Sequence, residues 1–264
     1  MTRVVIPFLR SLGSVALIGG AIRDVARAGR DGFASDLDFV VYGSERDDFA
    51  ARMECLGGSR NKFGGYGLHC FRTKVDVWHI EDTWAKTAGL VRVIEPSDLL
   101  RCTFFDWDSA LYEIDSGKLL LPSDYLERLQ LNVMDIRLEE NPNKIGSLVR
   151  ALRRAALWGV KFGPRLTAFS KKYLQEIPWD ELVALDSRAF FKPVLRSLDR
   201  VRILEHLDTP ISSPTGEVTY PVPDWMQPRL SWGNESPADT CAAHSRNWVS
   251  QLRLPWGDES SSRA

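Results

Sequence analysis

ALIGGAIRD, residues 16–24, closes an apolar run on two glycines, and a little further on SDLDFVVYG, residues 35–43, sets two aspartates one residue apart. Val15–Ile18 reads as a buried strand, and Gly19-Gly20 as the turn into an amphipathic helix of about a dozen residues carrying Ile22, Val25 and Ala26. DLDFVVYG reads as a second strand. Alternate residues of a strand share a face, so Asp36 and Asp38 project the same way. A helix with Phe49, Met53 and Leu56 is expected next, then a glycine-rich crossing, GGYG at 64–67, and then LHCFRTKVDVWHI, a pair of strands or one long one with Asp76 between Val75 and Val77. This alternation predicts a mixed α/β domain of roughly 125 residues.

Composition bounds the rest. The chain has 264 residues, 44% of them hydrophobic, and a net charge of -1, which suits a globular protein able to bury a core. It has no apolar run long enough to span a bilayer and no leader-like N-terminus, so a cytoplasmic protein without a membrane partner is expected. Cys55, Cys70, Cys102 and Cys241 are scattered without a C-x-x-C pair and are expected to pack rather than to bind zinc or form disulfides. The near-neutral average hides a basic stretch at 137–172, where Arg137, Lys144, Arg150, Arg153, Arg154, Lys161, Arg165, Lys171 and Lys172 face only Glu139 and Glu140.

From residue 123 the texture turns helical. PSDYLERL has a helical start, and SLVRALRRAALWGV, residues 147–160, has helical periodicity. On a helical wheel Arg150, Arg154 and Lys161 lie within about 40° of one another, with Leu148, Leu152, Ala155 and Ala156 opposite. Further helices are expected at 166–176, 180–185 and 190–206. After Asp208, Pro210, Pro214, Pro221, Pro223 and Pro228 break all periodicity, while Trp225, Trp232, Trp248 and Trp256 are too apolar for a purely solvated tail. An irregular segment partly strapped across the body is the expectation. The domains are thus read as 1–122, 123–208 and 209–264.

Three carboxylates on neighbouring strands, two of them in D-x-D, form a set of hard oxygen ligands suited to Mg²⁺. A carboxylate among Val75, Val77 and Trp78 is costly to bury without a compensating cation. A glycine turn entering a helix presents unpaired N–H groups at the positive end of the helix dipole, which suits a triphosphate. His69 and His79 are read as core or surface histidines, and Glu81 and Asp82 as helix caps.

In that order, GGAIRD (19–24), SDLDFVVYG and KVDVW (74–78) resemble the G-G-x-x-R-D, D-x-D and third-carboxylate motifs of the DNA-polymerase-β-like nucleotidyltransferases, in the branch of bacterial poly(A) polymerases and CCA-adding tRNA nucleotidyltransferases. The resemblance implies an α/β (α+β) nucleotidyltransferase head with a mixed sheet, a helical neck and, here, an irregular C-terminal segment. It implies two Mg²⁺ ions, with Mn²⁺ as substitute, and in-line displacement of pyrophosphate by a hydroxyl. Carried over by motif, Asp36 and Asp38 bind both ions, while Asp76 binds one and helps deprotonate the nucleophile. Gly19, Gly20 and Arg23 line the triphosphate; Asp24 is a structural partner of the helix end. LLRCTFFDWDSALYEIDSGKLL, residues 99–120, resembles R-D-F-T-I-N-A-x-x-Y-D…G-x-L, placing Arg101 near the nucleotide and Asp108 where the family has Asn. EENPNKIGSLVRALRRAALWGVKF, residues 139–162, resembles E-D-P-x-R-x-x-R-x-x-R-F-A-x-x-x-G-F, and puts Lys144, Arg150 and Arg153 at nucleotide-binding positions. Asn141 and Lys144 replace the Asp and Arg that read the base, and three extra residues separate Lys144 from Arg150.

The function this implies is template-independent transfer of NMP from an NTP, ATP or CTP, to a hydroxyl acceptor. An RNA 3′ end of tRNA-like form is the acceptor that the basic neck helix favours. Nucleotidylation of a protein or small molecule is the alternative, and a nucleotide-binding module without turnover the second alternative.

Overall fold

A computed structural model describes residues 2–61, 63–70, 73–208, 211–212 and 218–219. In chain order the elements are α1 (Thr2–Arg10), β1 (Ser14–Ile18), α2 (Gly20–Ala28), β2 (Leu37–Tyr42), α3 (Arg46–Cys55), β3 (Ser59–Arg60), β4 (Tyr66–Cys70), β5 (Thr73–His79), α4 (Trp84–Thr87), β6 (Leu111–Glu113), β7 (Leu119–Leu120), α5 (Tyr125–Gln130), β8 (Val133–Met134), α6 (Lys144–Trp158), β9 (Lys161–Phe162), α7 (Pro164–Glu176), α8 (Trp179–Ala189), α9 (Arg200–Leu207), β10 (Ile211–Ser212) and β11 (Val218–Thr219). Short 3-10 turns lie between several of them, among them Pro96–Arg101. The chain forms two compact units: one takes in the described residues up to Thr103 and from Trp107 to Tyr125, the other those from Phe104 to Asp106 and from Leu126 onward.

The first unit is built on a mixed sheet of order β3-β4-β5-β2-β1-β6-β7. β1 runs antiparallel to both β2 and β6, whereas β2 and β5 are parallel. Every residue of β1 after Ser14 is buried, as its run of apolar side chains requires of a central strand. One face of the sheet carries Ala16, Ile18, Val40 and Leu111, packed with Ile80, Val93 and Leu99 and partly covered by Trp78 and Cys102. Residues of opposite pleat, among them Val15, Leu17, Phe39, Val41, Val75 and Val77, are buried too. The LHCFRTKVDVWHI stretch is a pair of strands, β4 and β5. The N-terminal helix α1, with Ile6 and Leu9 buried, has no counterpart among the sequence expectations.

Several local expectations need correction. Leu56 is half exposed just beyond α3, while Phe49 and Met53 of that helix are buried. Cys55 is exposed rather than packed, whereas Cys102 does pack, and burial raises its thiol pKa to about 11. Asp82 caps no helix: it is buried and ion-paired with Arg46 and Arg60, while Glu81 pairs with Lys86. His79 is buried beside Phe49, and its imidazole accepts from the Glu81 N–H and meets the Ser44 carbonyl at 3.1 Å.

The second unit is mainly helical. α6 starts at Asn143, whose side chain accepts from the Gly146 N–H at 3.1 Å, and stops at Gly159, φ 65°, a left-handed position at which glycine costs least. Lys161 therefore sits in β9 and not on the helix, and Arg154 does not belong to a wet face. It is buried, with its guanidinium 4.4 Å from the Phe105 ring centroid. The expected helix at 190–206 is confined to α9, because Pro193 breaks the segment and Leu195–Ser197 forms only a 3-10 turn. The tryptophan-bearing segment from 220 onward lies outside the described residues.

Candidate active site

The antiparallel register of β1 and β2 pairs Ile18 with Asp38. Extending that register beyond Ile18 carries the chain past Leu37 toward Asp36, so Gly19 and Gly20 turn away at the end of the sheet where the D-x-D pair lies. The parallel register of β2 and β5 pairs Asp38 with Asp76. In-register residues of a parallel pair share a face, and Asp36 shares it with Asp38 by alternation. The three aspartates thus stand on one face at one end of the sheet.

Their charges are felt directly. The Asp38 carboxyl is pushed up to about 7 by burial first, then by Asp76 and Asp36, against an opposing pull from Lys74, with Asp108 adding to the rise. Lys74 precedes Asp76 by two residues on β5, so its side chain leaves the same face. Its ammonium donates to Asp76 and lies 3.7 Å from Asp36. Burial disfavours the charged lysine, but the hydrogen bond to Asp76 and the charges of Asp76, Asp36 and Asp38 outweigh it and raise its pKa. Lys74 was legible from the same alternation that aligned Asp36 with Asp38, yet its place in KVDVW gave it no role in the sequence reading.

Among the described residues, no three His, Cys, Asp or Glu side chains are gathered to hold a metal as they stand; a lysine ammonium lies between Asp36 and Asp76 instead. The donor chemistry nonetheless fits a hard divalent cation: the three carboxylates offer oxygen ligands, the Asp38 carboxyl is raised by burial and then by Asp76 and Asp36, and a positive group is already drawn to Asp76 and Asp36.

The glycine turn is shaped by close approach. Gly19 has φ 83° and ψ -130° and caps α2 with no side-chain hydrogen bond; its own N–H is spent on the Ala110 carbonyl at 2.9 Å. A Cβ on Gly20 would meet the Ser35 hydroxyl at 2.8 Å and the Ser35 Cβ at 3.0 Å. The Ile22 and Arg23 N–H groups donate to the Gly19 carbonyl at 3.1 and 3.2 Å, and with no acidic residue in its first turn the positive end of the α2 dipole suits anionic oxygens.

Arg23 is buried, 4% exposed. Its guanidinium holds Asp24 at 2.8 and 3.0 Å, the Ser35 hydroxyl at 2.7 Å, and Asp108. Asp24 in turn accepts from the N–H groups of Ala34 and Ser35 and from the Ser35 hydroxyl. These contacts fasten α2 to the loop that delivers Asp36. Arg23 as placed is a brace beneath the turn, and Asp108, which the sequence reading noted only as standing in place of Asn, is one of the groups it braces.

Arg101 ends the Pro96–Arg101 turn and is exposed, bonded to Asp98 at 2.6 Å and to the Arg92 carbonyl at 3.3 Å, not to the acidic cluster. Lys144, Arg150 and Arg153 belong to the helical unit. The Lys144 ammonium lies 5.5 Å from the centroid of the Tyr173 ring, and Arg150 donates to the Ser147 hydroxyl at 3.1 Å. Arg153 is engaged by the fully buried Asp186, by the Lys192 carbonyl at 2.9 Å and by the Phe190 ring at 3.8 Å. As placed it fastens the segment after α8.

No protein-family model matches the sequence, and no curated protein matches it. Solved structures are similar to part of the chain at low identity. A CCA-adding enzyme in complex with CTP is 17% identical, covering 80% of this chain and 55% of its own, at a TM-score of 0.49. The Thermotoga maritima CCA-adding enzyme complexed with tRNA is 18% identical, with 80% and 54% covered and a TM-score of 0.48. A tRNA nucleotidyltransferase with a primer tRNA and an incoming ATP analogue is 22% identical, with 73% and 56% covered and a TM-score of 0.44. The chain spans about half the length of these structures.

Proposed function

We propose that the chain is a template-independent nucleotidyltransferase that moves NMP from an NTP, ATP or CTP, to the 3′ hydroxyl of a tRNA-like RNA and releases pyrophosphate. The observation that carries this reading is the register of Asp38 with Asp76, with Asp36 on the same face, beside an uncapped helix start. Divalent Mg²⁺ ions held by Asp36, Asp38 and Asp76, with Mn²⁺ as substitute, supply charge neutralisation at the attacking and leaving oxygens. The chain's own part is positional. Gly19 and Gly20 let the backbone approach the triphosphate, and the start of α2 turns the positive end of its dipole toward phosphate oxygens. Arg23 keeps that turn and the Asp36 loop in fixed relation. Asp76, once its carboxylate is free of Lys74, accepts the proton of the attacking hydroxyl. Arg101 is the proposed nucleotide contact of the first unit, and Lys144 and Arg150 are the proposed RNA contacts of the helical unit, where Arg153 is held by Asp186 instead. Of these, Arg101, Lys144 and Arg150 are exposed.

A second reading, a nucleotide-binding module without turnover, is favoured by the ammonium of Lys74 at the acidic cluster. Incubation with Mg²⁺, each α-labelled NTP and total RNA separates the readings. Label in RNA is expected; label in protein or a small molecule would shift the acceptor, and no label anywhere would leave the binding module.

A further inference from the structure

Lys74 carries the inference furthest. It is the cation hydrogen-bonded to Asp76 and lies 3.7 Å from Asp36, and it is about half exposed, so its side chain has room to leave. Its neighbours on the same pleat are Asp76 and Trp78, and Trp78 is packed into the core of that face. The backbone of β5 is held on both sides, by β2 and β4. The carboxylates are therefore fixed, and the flexible four-carbon stem of Lys74 is the part that can swing. Three aspartates sharing one face repel one another in its absence.

We propose that Lys74 is an internal counter-cation: it neutralises the acidic cluster of the free protein, competes with divalent ions for Asp36 and Asp76, and leaves only when an incoming triphosphate offers its ammonium new anionic partners. The proposal rests on the nucleotidyltransferase reading for the identity of the ions and of the triphosphate. Expelling Lys74 weakens ion binding to the free protein. A bound triphosphate offsets that loss, because its oxygens accept the displaced ammonium. Ion and nucleotide are thereby coupled: each binds better in the presence of the other, and part of that coupling resides in one side chain. A protein arranged this way holds its ions when a nucleotide arrives rather than beforehand.

The test measures Mn²⁺ binding by electron paramagnetic resonance in the full chain, with and without a non-hydrolysable NTP analogue. Lys74→Met keeps the stem and removes the charge; Lys74→Arg keeps a cation. In the free protein, Lys74→Met is expected to bind Mn²⁺ roughly 3- to 5-fold more tightly than the natural chain, the upper scale of partly exposed ion pairs. Lys74→Arg is expected to stay within about twofold, on the same scale. The analogue is expected to tighten Mn²⁺ binding less in Lys74→Met than in the natural chain. Equal Mn²⁺ affinity of the natural chain and a folded Lys74→Met protein would overturn the proposal, as would absence of Mn²⁺ binding from both. If Lys74→Met fails to fold, tighter Mn²⁺ binding by Lys74→Gln carries the same support, and unchanged binding the same refutation. Tighter binding by the variant in a protein that transfers no label would uphold Lys74 as counter-cation while removing the proposed enzyme.

Discussion

Asp38 holds its proton up to about pH 7 because burial, Asp76 and Asp36 all disfavour its charge. A carboxyl raised above its unfolded value, here 3.8, contributes stability that is full below that value and is lost as pH rises through the folded one. In the absence of divalent ions, the melting temperature is therefore expected to fall between about pH 4 and pH 7, by an amount corresponding to about 2–4 kcal/mol, and then to level. Asp38→Asn should flatten that slope and raise stability at pH 8. Differential scanning calorimetry across the range checks this, and an unchanged slope in the variant would assign the pH dependence elsewhere. Arg23 is the opposite case, a buried cation whose loss would remove the charge partner of Asp24 and of Asp108. Arg23→Met is expected to cost about 3–5 kcal/mol by urea unfolding, since removing one partner of a buried ion pair leaves an uncompensated charge. A cost below about 1 kcal/mol, within the range of exposed pairs, would show that the brace is not needed.

At the scale of elements, the sheet end is made by a glycine turn whose geometry admits no side chain. Gly20→Ala drives a Cβ to 2.8 Å from the Ser35 hydroxyl, and Ser35 cannot yield freely because Asp24 and Arg23 both hold it. A loss of about 1–3 kcal/mol is expected, in the range for overpacking, together with weaker NTP binding measured by calorimetric titration; normal NTP affinity in a folded variant would separate the turn from the triphosphate. Much of this was readable in the chain: periodicity gave the strands around residues 15–18 and 37–42 and strand structure around His69 and Asp76, though not whether it was one strand or two, and alternation put Asp36 with Asp38. The pairing of Asp38 with Asp76 was not, because register between strands some 35 residues apart is set by tertiary packing. The wheel that set Arg154 opposite the apolar face missed its burial, because Phe105 and Met134, remote in sequence, cover it. Lys161 failed because Gly159 ends the helix before it, and the helix expected at 190–206 because Pro193 interrupts it. Arg153 shows the same limit: its partner Asp186 is 33 residues away, which no local pattern reports.

For the whole molecule, the acidic site lies in one unit, whereas the basic stretch from Arg137 to Lys172 lies in the other. RNA affinity, if it resides in that stretch, should fall steeply with salt, losing about one counterion per phosphate contact. Filter binding to tRNA at rising salt is expected to show that slope, reduced in Lys144→Ala and Arg150→Ala; a flat dependence would point to an acceptor other than RNA. The last stretch, with Trp225, Trp232, Trp248 and Trp256, is outside the described residues and enters none of these expectations. The central claim is that Asp36, Asp38 and Asp76 act together on a nucleotide. Its most direct test is transfer of label from α-labelled ATP or CTP to RNA in the presence of Mg²⁺, by the natural chain and by folded Asp36→Ala and Asp76→Ala. The natural chain is expected to label RNA and each variant to lose at least about 10³-fold, the loss of several kcal/mol of charge stabilisation. Full-rate transfer by either folded variant would contradict the account.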